Sequence, residues 1–185
     1  MLRVGRSSYG KIQLGSDQYP MSDTRTQGRR WVLSSIDESR QAAIQVARVA
    51  QRSLSIFTQD MDPGIYDHDD FLNAAKHLVL AKSYAKIKVL IADPSRVVRG
   101  GNRLVTLGRR LNTYIEFRNV NEDYRDHRES FLIADDTALL YRVDATRWDG
   151  IADTYEPAVA KRYLGLFNEI WEASVVEQEL RELHV

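Results

Sequence analysis

IKVLIADPS, residues 87–95, carries an almost unbroken apolar run into Asp-Pro-Ser. An apolar run of this length without polar alternation is a strand buried on both faces, and Asp93-Pro94-Ser95 then opens a helix that the periodicity carries to near Leu111. A doubly buried strand that feeds a helix is the repeating unit of a parallel sheet, so the flanking segments are read for the same alternation.

Upstream, WVLSS (31–35) is a short apolar strand, and Ser35 or Asp37 offers an N-cap to a helix carrying Ala43, Ile44, Ala47 and Ala50 at helical spacing. LSIFTQ (54–59) is a second strand, followed by a Pro63-Gly64 turn and a helix from about Asp67 to Ser83. Downstream, YIEFRNV (114–120) supplies a fourth strand. SFLIAD (130–135) and ALLYRV (138–143) form a hairpin over Asp136-Thr137, and a long helix starts near Pro157. The expected fold is therefore α/β, with a mixed, largely parallel sheet flanked by helices.

Residues 1–28 are rich in Ser, Gly, Gln, Asp and Arg without sustained period and read as a disordered leader; residues 29–185 read as one domain. Lysine plus arginine equals aspartate plus glutamate at 26 each, so polyanion binding requires a local patch rather than a global field. The absence of cysteine excludes thiolate nucleophiles, disulfides and cysteine-based metal sites. No run approaches the roughly 18 apolar residues that span a bilayer, and no signal-peptide core is present, so a soluble cytoplasmic protein is the expectation.

DHRESFLIADDTALLYR (126–142) points most directly at chemistry, with a histidine ahead of an apolar strand that ends in an aspartate pair. Together with the order of elements and the apolar strand ending in Asp-Pro, it resembles one half of the phospholipase D superfamily over about residues 31–175. Each half in that superfamily carries H-x-K-x-x-x-x-D followed by a Gly-Ser-x-Asn turn, and two halves meet to build one site. The resemblance implies a histidine nucleophile, a second histidine as acid, and lysines that clamp phosphate. Starting from His127, the lysine position falls on Glu129 and the aspartate position on Ala134. Anchored on Asp135, the histidine position is Arg128 and the lysine position Ser130, and Tyr141-Arg142-Val143-Asp144 replaces Gly-Ser-x-Asn. Neither register completes the motif, so the stretch reads as a degenerate relic in which Arg128, Ser130 and Asp135 bind rather than react. A guanidinium is no nucleophile, but its planar fork suits a phosphate.

DPSRVVRGGNRLVTLGRRLNTYIEFR (93–118), whose helix Gly100-Gly101 interrupts with a loop or a close backbone approach to a ligand, is the most basic region. It resembles an uncharacterised bacterial family of phospholipase D-like fold that shares Asp-Pro before this helix and Arg-Arg-Leu at its end. That family occurs alone or attached to acetyltransferase-like domains. Arg103, Arg118 and Arg128 are expected to converge at the sheet edge around an anion, against a solvated helix face as the alternative. QDMDPGIYDHDDF (59–71) is dense in acids but lacks the spacing of a calcium loop, so Asp67, Asp69 and Asp70 read as helix-capping acids, Asp60 as a pocket-rim residue, and no metal or cofactor is expected.

The C-terminal helix is read over 157–183, with Val176, Leu180 and Leu183 extending its apolar seam toward a partner protein or a second copy. Three classes of function follow. One is a non-catalytic phospholipase D-like module that binds a phosphate-bearing ligand or nucleic acid. The second is a protein-interaction domain with no ligand. The third is a divergent phosphodiesterase using His127.

Overall fold

A computed structural model describes residues 28–177. The leader expected over residues 1–28 falls outside that range except for Gly28, as do Leu180 and Leu183.

One eight-stranded mixed sheet runs through the molecule. Its strands are β1 (Arg30–Leu33), β2 (Ser53–Thr58), β3 (Lys86–Ile91), β4 (Ile115–Asn119), β5 (Ser130–Ala134), β6 (Ala138–Arg142), β7 (Gly150–Asp153) and β8 (Val175–Val176), in spatial order β1-β7-β6-β5-β2-β3-β4-β8. Only β2–β3 and β3–β4 pair in parallel, and every other neighbour is antiparallel. The α/β class with a mixed sheet stands, but the parallel part is the three adjacent strands β2, β3 and β4 rather than the bulk of the sheet. The reason is local: β5, β6 and β7 follow one another through short turns, and a turn of a few residues can only reverse direction.

Helices α1 (Ile36–Val49), α2 (Asp69–Ala81) and the pair α3 (Ser95–Gly100) and α4 (Arg103–Arg110) cover one face, and α5 (Pro157–Ala173) covers the other. Alternation along the strands divides the core between the two layers. Leu54, Ile56, Ile87, Val89, Phe117, Leu132 and Leu140 pack toward α1 and α2, whereas Phe57, Leu90, Phe131 and Ile133 pack against Phe167, Ile170 and Trp171 of α5. The near-continuous apolar reading of residues 87–91 is explained by this sandwiching: β3 is covered on both sides.

Caps fix the helix starts. Ser35 accepts from the Glu38 amide, and Glu38 reaches back to the backbone amide and hydroxyl of Ser34, which holds its carboxyl below the usual range. The helix expected from Ser95 to Leu111 is broken in two. Gly101, at φ 73 and ψ 166, adopts a conformation reserved for glycine, and Asn102 recaps the second segment by accepting from the Leu104 amide.

The C-terminal helix differs from expectation. It ends at Ala173, and Val175–Val176 leave it to pair with β4. Arg118 explains the stop: it donates to the carbonyl oxygens of Trp171 and Ser174 and stacks its guanidinium 4.3 Å from the Trp171 ring, satisfying helix-end carbonyls that another turn would have used. Val176 therefore belongs to a sheet edge and not to a helical seam. No helix among the described residues is long and apolar enough to cross a membrane.

Candidate functional site

At the carboxyl ends of β2 and β3, four loops converge. Because β5 runs antiparallel to β2 and β6 antiparallel to β5, the start of β5 and the end of β6 lie at this same end of the sheet. Loops at the carboxyl ends of parallel strands are where α/β sheets place ligands, since the chain must splay apart there.

The floor is a buried polar network. Thr58, Ser130 and Arg142 stand beside one another at the ends of β2, β5 and β6, and Asp62 closes over them from a single π-helical turn, Asp62–Tyr66. Asp62 Oδ2 receives the Arg142 Nη2 at 2.6 Å, the Thr58 hydroxyl at 2.9 Å and the Ser130 hydroxyl at 3.4 Å. Arg142 also donates to Ser130 Oγ and to the carbonyls of Ala145 and Arg147, and lies 5.0 Å from the Trp148 ring. Its side chain is 0% exposed and that of Asp62 6%. Gly150 faces this cation across the ladder, and a Cβ there would lie 2.4 Å from the Tyr141 carbonyl oxygen and 3.0 Å from Arg142 Cγ. Burial beside Asp62 pushes the Tyr66 phenol well above its usual range, with Arg142 opposing.

The turn that delivers Asp62 is strained. Met61 (φ 69) and Asp62 (φ 32) are consecutive non-glycine residues in the left-handed region. Such conformations survive where the surroundings over-determine them, here through the buried ion pair and the bond from the Asp62 amide to Asp60.

Above the floor lies a cleft of about 600 Å³. Gln59 and Asp60 reach it from the loop after β2, Asp93 from the loop after β3, Arg96 from the first turn of α3, Arg125 to Arg128 from the loop before β5, and Asp144 to Thr146 from the loop after β6. Most of these charges are committed. Arg96 pairs with Asp60; Asp93 accepts from the amide and hydroxyl of Ser95, and Asp144 from those of Thr146, which holds both carboxyls below their ordinary range. Arg125 makes a 3.5 Å pair with Glu122. Arg128 is exposed and its guanidinium forms no ion pair or hydrogen bond with a described residue; Asp144 is the acid that feels its charge. His127 is held on three sides: Nδ1 lies 2.9 Å from Glu129 Oε2, its ring stacks on Tyr124, and Phe57 meets it edge-on.

The structure gathers Asp60, His127 and Arg128 at this cleft and sets Ser130 beneath it. It does not bring Arg103 and Arg118 to them. Arg103 ties α4 to the start of α2 through Asp67 and Asp69, which raise its pKa further, and Arg118 is spent on the end of α5. Asp135 sits at the opposite end of β5 with φ 55, accepting from the amides of Gln51, Arg52 and Ser53. The expected convergence of three arginines is thus corrected to one unpaired arginine. Asp69 and Asp70 occupy the first turn of α2, and His68 caps it by accepting from the Asp70 amide. No group of acids and histidines with metal-binding geometry occurs among the described residues. Sequence reading missed Asp62, Arg142 and Trp148; the available signal was an arginine closing an otherwise apolar strand, ALLYR.

A family model described as a domain of unknown function, DUF7931, matches residues 35–183. No curated protein sequence matches significantly. Among solved structures, the fold is similar to Nuc from Salmonella typhimurium, a phospholipase D family member, at TM-score 0.57 and 14% identity over 82% of this chain and 99% of that one. NucT from Helicobacter pylori is similar at 0.57 and 12%, with the same coverage. TrmBL2, an archaeal chromatin protein whose structure shows a novel mode of DNA binding, is similar at 0.57 and 15% over 84% of this chain. This chain spans 56% of TrmBL2. At these identities the likeness establishes the phospholipase D-like fold.

Proposed function

We propose that this chain, which belongs to the DUF7931 family, is a phospholipase D-fold module that binds a phosphate-bearing ligand, nucleic acid included, without cleaving it. The observation that carries the reading is the contrast between two of the cations at the cleft. Arg128 at the mouth is unpaired and offers a planar fork to an anion, while Arg142 in the floor is fully buried and neutralised by Asp62.

The Asp135-anchored register supports the absence of turnover. β5 ends at Ala134 and Asp135 opens the turn, so Arg128 stands where the superfamily pattern has histidine and Ser130 where it has lysine. Ser130 faces Arg142 across the ladder, so a cation is present near the lysine position, but its charge is spent on Asp62 rather than left for a developing phosphoryl charge. An arginine in place of the nucleophile cannot form a covalent phosphoryl intermediate. The chromatin protein with this fold supports binding without requiring hydrolysis.

The test is binding of labelled single-stranded and duplex nucleic acid and of inorganic phosphate, measured for the intact chain and for Arg128→Ala and Arg103→Ala. Loss in Arg128→Ala with retention in Arg103→Ala supports the reading. Equal loss in both, or no binding at low salt, overturns it.

A second reading rests on His127. Its bond to Glu129 fixes the ring at the cleft, the arrangement of a base oriented by a carboxylate. Hydrolysis of a chromogenic phosphodiester by the intact chain, abolished in His127→Ala, would favour it over binding alone.

A further inference from the structure

The cleft has a second lobe that the phosphate reading does not use. A hollow of about 450 Å³ shares Gln59, Asp60, Arg96, Ala145 and Thr146 with the first, so the two are arms of one groove. Its remaining wall differs in character: Ile36, Pro63 and Gly64 line one part, the Trp148 ring another, and Asp62 the base. The first arm presents an unpaired guanidinium, and the second an aromatic ring with a carboxylate beneath it.

The second arm's chemistry is specific. All three donors that reach Asp62 bind Oδ2, which leaves Oδ1 as an unused acceptor on a residue lining the arm. Gln59 donates its amide to the His127 carbonyl, leaving its side-chain oxygen as a further acceptor on the shared wall. Two acceptors beside an indole and a Pro-Gly edge match a flat ring that carries N–H donors. An alkyl group would leave the acceptors unmatched, and a second phosphate would find the cations at this arm, Arg96 and Arg142, already committed to Asp60 and Asp62.

We propose that the groove binds a nucleotide, with its phosphate on Arg128 in the first arm and its base against Trp148 and the Asp62 carboxylate in the second. The assignment rests on the phosphate reading above and adds the part of the ligand that gives selectivity. The strained Met61–Asp62 turn then has a use, because it holds the carboxylate at the base of the arm, in contact with Arg142 through Oδ2. A base with an exocyclic amino group is favoured over uracil, since the wall offers acceptors.

The experiment compares the intact chain's affinity for GMP, AMP, CMP and UMP with that for ribose 5-phosphate, which carries the phosphate without a base. Trp148→Leu and Arg128→Ala are measured alongside, with circular dichroism to verify folding. The expected result is at least tenfold tighter binding of an amino-bearing nucleotide than of ribose 5-phosphate, a difference erased by Trp148→Leu, and loss of both ligands in Arg128→Ala. Transferred NOEs from base protons to the Trp148 indole N–H would be seen in the unmodified protein, so the contact is read even if Trp148→Leu fails to fold. Equal affinity for ribose 5-phosphate and every nucleotide, with no such NOE, overturns the base site and leaves the phosphate reading intact. No affinity for any of the ligands overturns both.

Discussion

Arg142 carries a full charge into a site where its side chain is 0% exposed, and the geometry around Asp62 is what makes that tolerable. Removing the cation alone strands a carboxylate, so Arg142→Met is expected to lower stability by about 3–5 kcal/mol. Removing both charges relieves that penalty, so Arg142→Met with Asp62→Leu should recover most of the loss in urea unfolding. Identical midpoints for the single and double variants would refute the coupling. At the cleft rim the same logic is readable by pH. Asp93 is held below its ordinary value chiefly by the Ser95 hydroxyl, then by the Ser95 amide. A depressed carboxyl contributes stability that is present above its unfolded value of about 3.9 and is lost as pH falls through the lower folded value. In Ser95→Ala the hydroxyl's share is lost while the amide and the charges of Arg99 and Arg125 remain, so the Asp93 titration followed by NMR should move upward toward its unfolded value. An unmoved midpoint would assign the depression elsewhere.

The break between α3 and α4 gives the clearest expectation for an element. A Cβ on Gly100 meets nothing within 4 Å, whereas Gly101 holds φ 73. Gly100→Ala should therefore gain about 0.5–1 kcal/mol by reducing unfolded-state freedom. Gly101→Ala should lose about 1–3 kcal/mol by forcing a side chain into a glycine-only conformation. Thermal unfolding of both variants checks the sign, and equal effects would mean that the break is not held by Gly101. Sequence showed where the helix was interrupted because glycine pairs act locally. It missed β7 and β8 for the opposite reason. Gly150–Asp153 has four residues and an exposed Ile151, too short for alternation to stand out, and Val175–Val176 continue the helical period of α5 until Arg118, from another strand, takes the end carbonyls. The site was legible in the same proportion. His127, Arg128 and Ser130 are neighbours in sequence and were read together, whereas Asp62 and Arg142 lie 80 residues apart and meet only through the π-helical turn.

For the whole molecule, equal numbers of acidic and basic residues make any attraction to nucleic acid short-ranged. The cleft adds little net charge: Arg96, Arg125 and Arg128 stand among Asp60, Asp93, Asp126 and Asp144. At most those three guanidiniums can displace counterions. The slope of log K against log salt should then be about −2 for a single strand and no steeper than about −3 for a duplex, and affinity should fall only about 20–40-fold between 50 and 200 mM salt. Arg128→Ala should make the slope shallower by about one unit, because each lost phosphate contact removes about one released counterion. A slope near −6 would require phosphate contacts well beyond the groove and would move the binding surface to the arginines of α4. A shallow slope that Arg128→Ala flattens further would instead localise recognition at one end of the sheet. Most of the contact energy would then have to come from the ligand's uncharged parts, which is the condition under which a single phosphate-bearing molecule, rather than a polymer, fits the groove.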